Sequence, residues 1–145
     1  MFREVQNSDK ATVIEMAKSF YLEDGNSYGN TRIEKAITAI LSGEPLAKLW
    51  VIEKEQAIIG YLCVSLGFSL ETGGRDFFID ELFVEKAYRK QGIGTKALKY
   101  ACEQSKKLGA QRVVLEVEQS NPRAKALYKR LGFELHPRHL MSKFL

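Results

Sequence analysis

A short segment with two glycines and two basic residues is the part of this sequence best suited to hold an anion. It runs from Arg89 to Thr95, after an apolar stretch at 77–84 and before a helical pattern, and we call it the glycine turn. The N–H groups in the first turn of a helix have no partner within the helix, and the helix dipole adds partial positive charge there. Gly92 and Gly94 let a ligand approach the main chain closely. The segment therefore predicts a site for an anion such as a phosphate group, although a glycine turn alone is also typical of an ordinary tight connection.

Two adjacent carboxylates, Asp80 and Glu81, lie inside the apolar stretch that precedes the glycine turn. Successive side chains of a strand point to opposite faces, so we expect these two on different sides of a sheet. A carboxylate among apolar residues loses hydration, which raises its pKa and suits it to proton transfer. Pairing with a nearby arginine explains such a carboxylate equally well. The sequence thus offers two candidate bases and leaves the choice between them open.

The composition is that of a soluble globular protein with one domain. The chain has 145 residues, 45% of them hydrophobic and 28% charged, which is ordinary for a single domain. The net charge is +4, and the sequence contains no dense run of basic residues, so nucleic acid is not favoured as a partner. No apolar run approaches the length of about 20 residues that a membrane helix needs. Cys63 and Cys102 are isolated, which favours free thiols in a reducing compartment. We therefore predict one cytoplasmic domain over residues 1–145.

Apolar periodicity predicts a mixed α/β domain in which helices and strands alternate, most regularly in the second half. Strands are predicted over 2–5, 46–53, 57–69, 77–84 and 112–117, with closing strands over 133–135 and 140–144. Helices are predicted after Ser8 or Asp9, after a capping box at Thr31 and Glu34, from Ile93 to Leu108, and after Asn121 with Pro122 at the first helical position. These elements place the glycine turn directly between a strand and a helix.

A second motif follows the strand predicted at 112–117. Taken singly, Asn121 is a helix cap and Tyr128 is a packing residue. Taken together with the glycine turn, the order and spacing closely resemble those of the GCN5-related N-acetyltransferase (GNAT) superfamily. From about residue 77 to 144 the resemblance includes specific motif residues. Before residue 77, only the order of the strands and helices agrees. The matching positions are Arg89, Gly92, Gly94, Asn121, Ala124, Tyr128, Gly132 and Phe133.

The resemblance implies an α/β (α+β) fold and a cofactor. The implied sheet is mixed and mostly antiparallel, splays between its fourth and fifth strands, and is flanked by about four helices. The implied cofactor is acetyl-CoA, with CoA as product. By position, the main chain of Leu82, Phe83 and Val84 would bind the pantetheine arm, with Asn121 and Tyr128 also in contact with the cofactor. The N–H groups implied for the pyrophosphate are those of Arg89, Lys90, Gln91, Gly92, Ile93, Gly94 and Thr95.

The activity implied by the resemblance is transfer of an acetyl group to a primary amine by direct attack in a ternary complex. An aliphatic amine has a pKa of about 10.4, so at neutral pH it must lose a proton before it can react. Glu81 is the preferred base and Asp80 is the alternative. Tyr128 matches the family's tyrosine, which would protonate the departing thiolate. Main-chain N–H groups near Leu82 or Phe83 would polarise the thioester carbonyl.

The acceptor is the least determined part of the prediction. Glu23, Asp24 and Tyr28 fall between the first two helices, in a region that resembles the family's acceptor-lining loop. Their acidity suits a cationic amine, although a solvated polar loop is the simpler interpretation for each residue alone. Asp80 and Glu81 join this predicted acceptor site, because their strand resembles that of diamine acetyltransferases. A polyamine, an aminoglycoside or an amino-acid derivative is therefore the favoured acceptor.

Other functions stay open at this point. A protein N-terminus or a lysine side chain is the alternative acceptor, and a non-catalytic CoA-binding regulatory module is the alternative class, which Tyr128 and the two carboxylates disfavour. The length of the transferred acyl chain is not determined. His136 and His139 lack metal-ligand spacing, so no metal is predicted. The resemblance permits a homodimer, but no residue requires one.

Overall fold

The computed structural model describes residues 1–25 and 29–145, which form two compact units, Met1–Leu115 and Glu116–Leu145. The first unit holds the sheet and three helices, and the second holds one helix. The elements of the first unit are β1 (Phe2–Glu4), α1 (Lys10–Glu23), α2 (Asn30–Leu41), β2 (Ala47–Lys54), β3 (Ala57–Ser69), β4 (Gly74–Val84), α3 (Ile93–Lys107) and β5 (Ala110–Val114). The helix of the second unit is α4 (Pro122–Arg130).

The sheet has the mixed topology that was predicted. Its strand order is β1-β2-β3-β4-β5, and every neighbouring pair is antiparallel except β4 and β5, which are parallel. β5 pairs with β4 only from Arg75 to Phe78. Beyond Phe78, β4 continues to Val84 with β3 on one side and no strand of the described residues on the other. This separation confirms the predicted splay and leaves the β4 main chain accessible where the carboxylates lie.

Alternation along the strands builds one apolar core on each face of the sheet. Leu49 and Val51 of β2 join the core beneath α1 and α2. Ile52 and Ile59 point the other way and join a second core with Ile93 and Ala97 of α3. Helices therefore cover both faces, with α1 and α2 on one side and α3 on the other. None of the described helices has the length and apolarity that crossing a bilayer requires.

The structure corrects the prediction for the end of the chain. Residues 133–135 and 140–144, predicted as closing strands, have no regular secondary structure. Leu135, Leu140 and Met141 are exposed. An alternating apolar pattern becomes a strand only where a neighbour supplies hydrogen bonds, and no strand of the described residues pairs with these segments.

Three predicted element starts are also wrong, and one of them is that of β4, which begins at Gly74 rather than at 77. α2 begins at Asn30 with Gly29 as its N-cap, so Thr31 lies inside the helix and the predicted capping box does not form. β5 begins at Ala110 rather than at 112, because the chain turns at Gly109 (φ 87°) as α3 ends and enters the sheet at once. None of these changes moves the glycine turn or the carboxylates to another element.

Candidate active site

A cavity of about 290 Å³ lies beneath α1 and α2, against β2, β3 and β4. Its walls are mainly aliphatic and come from the core on that face of the sheet. The apolar lining includes Val13, Ala17, Ile33, Ile37, Ile40 and Leu49. The polar lining consists of Tyr21, Glu44, Tyr61, Cys63, Ser65, Asp80 and Glu81. A mostly apolar cavity with a few convergent polar groups is the usual form of a small-molecule site.

A β-bulge brings both predicted carboxylates to this cavity. Glu81 lies opposite Cys63 and Ile79 lies opposite Val64, so Asp80 is an extra residue in β4. A bulge of this kind interrupts strict alternation and redirects a side chain. Asp80 and Glu81 consequently line the same cavity, and the prediction that they point to opposite faces is wrong. The sequence shows no turn residue or glycine at this point that would have indicated the bulge.

Two tyrosines hold the Glu81 carboxylate in place. The Tyr21 hydroxyl donates a hydrogen bond to Oε1, and the Tyr61 hydroxyl donates one to Oε2 over 2.8 Å. Burial raises the pKa of Glu81, the two hydroxyl donors lower it in part, and the charges of Asp80 and Asp24 raise it further. Burial and the Glu81 charge also raise the pKa of both phenols, so Tyr21 and Tyr61 stay protonated as donors. Glu81 is therefore a fixed carboxylate with a raised pKa.

The remaining groups beside Glu81 differ in accessibility. Asp80 is exposed, yet loss of hydration still raises its pKa. Burial, together with the charges of Asp80 and Glu81, raises the pKa of the Cys63 thiol to about 12. A thiol with that pKa is protonated at neutral pH and is a poor nucleophile. The cavity thus offers carboxylates for proton transfer but no activated cysteine to carry an acyl group.

The glycine turn presents the predicted row of main-chain donors at the start of α3, except for the Arg89 N–H, which donates to the Lys86 carbonyl over 3.3 Å. Gly92 is the N-cap with φ 76°, a left-handed conformation that favours glycine. Among the described residues, no acceptor bonds to the N–H groups from Lys90 to Thr95. A Cβ at Gly94 would meet no atom within 4 Å, so the space above this main chain is open. These free donors and this space fit the phosphate oxygens of a nucleotide cofactor.

The Arg89 side chain binds other groups of the protein. Its Nε donates to the Val84 carbonyl over 2.6 Å, and its Nη2 contacts both carboxylate oxygens of Glu23 at 3.0 Å. The guanidinium also lies 5.5 Å from the centre of the Phe83 ring. Arg89 therefore ties the end of β4 to the end of α1, while Lys90 remains exposed at the glycine turn.

The other predicted residues of the first unit lie around these two features. Glu23, predicted to bind the acceptor, pairs with Arg89 and more distantly with Lys86. Asp24 is close enough to Glu81 to raise its pKa. Leu82 packs on the α3 side of the sheet, and Phe83 packs on the α1 side. Tyr28 lies outside the described residues.

In the second unit, the motif residues form a regular helix start. The Asn121 side chain accepts a hydrogen bond from the N–H of Ala124 over 3.0 Å, and Pro122 follows as the first helical residue, as predicted. Tyr128 is half-buried, its ring centre lies 6.1 Å from that of Phe133, and burial raises the pKa of its phenol.

Sequence reasoning did not predict five of the polar residues that line the cavity: Tyr21, Glu44, Tyr61, Cys63 and Ser65. Tyr21 falls on the apolar stripe of α1, and Tyr61 shares a strand face with Cys63. A hydroxyl on an otherwise apolar face is the one signal that both tyrosines carry. Among the described residues, no group of three or more His, Cys, Asp or Glu is placed to hold a metal ion.

Comparison with known proteins gives the family. The family model described as "Acetyltransferase (GNAT) family" matches residues 11–133, so the chain belongs to this family and is an N-acetyltransferase by membership. The family uses acetyl-CoA.

Its relatives differ in how much of the chain they match. Thialysine N-epsilon-acetyltransferase of Bos taurus is 29% identical across 91% of this chain and 82% of that protein. N-alpha-acetyltransferase 30 of Schizosaccharomyces pombe is 45% identical over 56 residues, which are 39% of this chain and 37% of that protein. The crystal structure of an integron cassette protein from the mobile metagenome of Cole Harbour Salt Marsh has a TM-score of 0.85 and 28% identity, covering 99% of this chain and 90% of that one.

Proposed function

We propose that the protein transfers the acetyl group of acetyl-CoA to a primary amine of a small molecule that enters the cavity beneath α1 and α2. The observation that carries this proposal is the Glu81 carboxylate, fixed by two hydroxyl donors at the wall of an apolar cavity. A fixed carboxylate with a raised pKa both attracts an ammonium group and accepts its proton.

The glycine turn holds the cofactor in this proposal. The free N–H groups from Lys90 to Thr95 bind the pyrophosphate oxygens, and the edge of β4 that faces away from β3 binds the pantetheine arm. The Glu85 N–H donates to the Ile59 carbonyl, so in this antiparallel register the main-chain groups of Phe83 face Tyr61 of β3, and those of Leu82 and Val84 face the free edge. Because the Val84 carbonyl already accepts from Arg89, the Leu82 main chain and the Val84 N–H carry the contact with the pantetheine arm, and Phe83 does not. When bound, the cofactor supplies an acetyl thioester.

Proton transfer at the cavity belongs to Glu81, with Asp80 as the alternative at the exposed side. A carboxylate oxygen of Glu81 accepts the proton of the attacking nitrogen as the nitrogen–carbon bond forms and the carbon–sulfur bond breaks. The Cys63 thiol is protonated at neutral pH, which supports direct attack in a ternary complex over an acyl-cysteine route.

Tyr128 and Asn121 complete the proposed machinery through their match to the family motif. Burial raises the pKa of Tyr128, so its phenol keeps its proton at neutral pH and can donate it to the departing thiolate. Asn121 contacts the pantetheine arm. We also propose that residues 1–145 act as a single catalytic domain, since one family model matches residues 11–133 and so reaches into the second unit.

A protein N-terminus is the second candidate acceptor. The 45% identity to N-alpha-acetyltransferase 30 over 56 residues favours it. A peptide, however, needs an open groove with main-chain partners, whereas the cavity here lies beneath two helices. A small amine therefore remains the preferred acceptor. A purely regulatory CoA-binding role is disfavoured, because it does not explain the Glu81 carboxylate or the two tyrosines that bind it.

Location and assembly are proposals of a coarser kind. Cys63 and Cys102 are both free, which favours the reducing cytoplasm. A homodimer is compatible with the fold, and neither nucleic acid nor a membrane is required as a partner.

Two substitutions test the proposed roles. Glu81→Gln removes the proton acceptor and Tyr128→Phe removes the proton donor, so each lowers kcat by about 100-fold, within the usual range for acid–base groups. Both variants keep most of the affinity for acetyl-CoA, measured by calorimetry, because neither changes the glycine turn and Tyr128→Phe keeps the aromatic ring. Glu34→Gln, an exposed change on α2 that lines no part of the cavity, is the matched control. Wild-type turnover in a double variant that carries both Glu81→Gln and Asp80→Asn would refute a catalytic carboxylate at this cavity.

A further inference from the structure

The charged side chains in the described lining of the cavity are all carboxylates. Glu44, Asp80 and Glu81 line it, and the described lining includes no lysine, arginine or histidine. None of these three carboxylates forms an ion pair with a basic side chain in the part of the chain that the structure describes. The chain as a whole carries a net charge of +4, so this acidity is local to the cavity. Such a lining attracts cations and repels anions.

Glu44 contributes to the cavity lining from the segment between α2 and β2, whereas Glu81 contributes from β4. The Glu44 Oε1 accepts a hydrogen bond from the Leu46 N–H over 3.1 Å, and the adjacent Ala47 pairs with Ser65 of β3. Glu81 pairs with Cys63 of the same strand. Two residues along β3 correspond to about 7 Å, and the two strand spacings from β2 to β4 correspond to about 10 Å. These spacings separate the main chain at Ala47, three residues after Glu44, from the main chain at Glu81, and aliphatic side chains also line the cavity.

We propose that the acceptor is an aliphatic diamine or polyamine without a carboxylate, with its reacting amine at Asp80 and Glu81 and its second cationic group at Glu44. This inference rests on the proposed function and narrows its substrate class. The aliphatic wall suits a methylene chain, and a cation at each end meets a carboxylate. An amino acid of the same length would place its own carboxylate beside Glu44, where the described lining offers no basic partner.

Three acceptors that differ by one group each test the inference. Cadaverine has an amine at both ends, lysine adds a carboxylate, and pentylamine lacks the second amine. The expected kcat/KM for cadaverine exceeds that for lysine by at least about tenfold, because the lysine carboxylate would face Glu44. It exceeds that for pentylamine by about two- to fivefold, because Glu44, the partner of the second amine, is exposed. Equal or faster acetylation of lysine, or equal acetylation of pentylamine, overturns the inference.

The role of Glu44 is tested by Glu44→Gln. Because Glu44 is exposed, we expect the KM for cadaverine to rise about two- to fivefold, with the KM for pentylamine unchanged. Glu34→Gln on α2 removes an equally exposed charge away from the cavity and leaves both values unchanged. A similar change in KM for both amines would show that Glu44 does not bind the second cation.

The outcomes separate this inference from the proposed function. Acetylation of any of the three amines supports the proposed function, while their ranking decides the inference. If none is acetylated, calorimetric binding of the same three compounds still decides it. Cadaverine binding in preference to lysine and pentylamine, and weakened by Glu44→Gln, supports the inference, whereas equal binding of the three contradicts it.

Discussion

At the scale of single residues, two hydroxyl groups hold the Glu81 carboxylate and influence its pKa. Tyr21 belongs to α1 and Tyr61 to β3, and each donates to a different oxygen of the carboxylate. Burial opposes the charged form of Glu81 and the two donors favour it. The balance of these effects sets the pH below which Glu81 becomes protonated and stops accepting protons.

Removal of either hydroxyl should raise the pKa of Glu81. In Tyr21→Phe and in Tyr61→Phe, the carboxylate loses a donor that stabilises its charge, so the pKa of Glu81 rises. Since activity needs the charged form and is lost as the pH falls through this pKa, the acidic limb of the kcat/KM profile shifts to higher pH. Tyr100→Phe, a change on α3 away from the cavity, serves as the control. An acidic limb that stays in place or moves to lower pH would contradict the role given to these tyrosines.

The sequence predicted the Glu81 candidate but not its partners. Glu81 stands out locally, as a carboxylate in an apolar strand. Its hydrogen bonds join residues 60 and 20 positions apart along the chain, and only the packing of α1 on the sheet brings them together. The bulge at Asp80 was equally hidden, because it depends on the register between two strands rather than on one stretch of sequence.

At the scale of elements, sequence and structure agree on the glycine turn and the start of α3, where we propose the anion site. Strand, turn and helix follow in the predicted order, and the N–H groups of the turn have no acceptor among the described residues. Such local features are predictable, because glycine spacing and helix polarity act over a few residues. The ion pair between Arg89 and Glu23 was not predictable in this way, since it joins elements 66 positions apart.

Gly94→Val tests this element without disturbing the fold. Gly94 has no positive φ, and a Cβ there would meet no protein atom within 4 Å. The added side chain therefore occupies only the space proposed for the cofactor, and acetyl-CoA affinity should fall by at least about tenfold while the melting temperature hardly changes. Gly29→Val, also in open space without a positive φ, is the control. Unchanged calorimetric affinity in Gly94→Val would mean that the cofactor binds elsewhere.

At the scale of the whole molecule, the sequence predicted more of the architecture than of the chain's end. The mixed, mostly antiparallel sheet, the splay between its fourth and fifth strands and the four helices agree with the prediction, because the family resemblance implied them. The closing strands failed because pairing partners, rather than local pattern, decide whether such segments enter a sheet. The family model nevertheless matches residues 11–133 and so reaches into the second unit, which supports our proposal of a single catalytic domain.

The most direct test of the central claim is to measure, with one sample of the whole protein, thiol release from acetyl-CoA and the acetylated product for four kinds of acceptor: polyamines, aminoglycosides, amino acids and N-terminal peptides. The account predicts thiol release that depends on a small amine, matched in amount by its N-acetylated product, with polyamines preferred. Turnover of peptides alone would assign the protein to the second candidate function. Thiol release without an acetylated amine, or silence across all four classes from protein that binds acetyl-CoA, would contradict the claim.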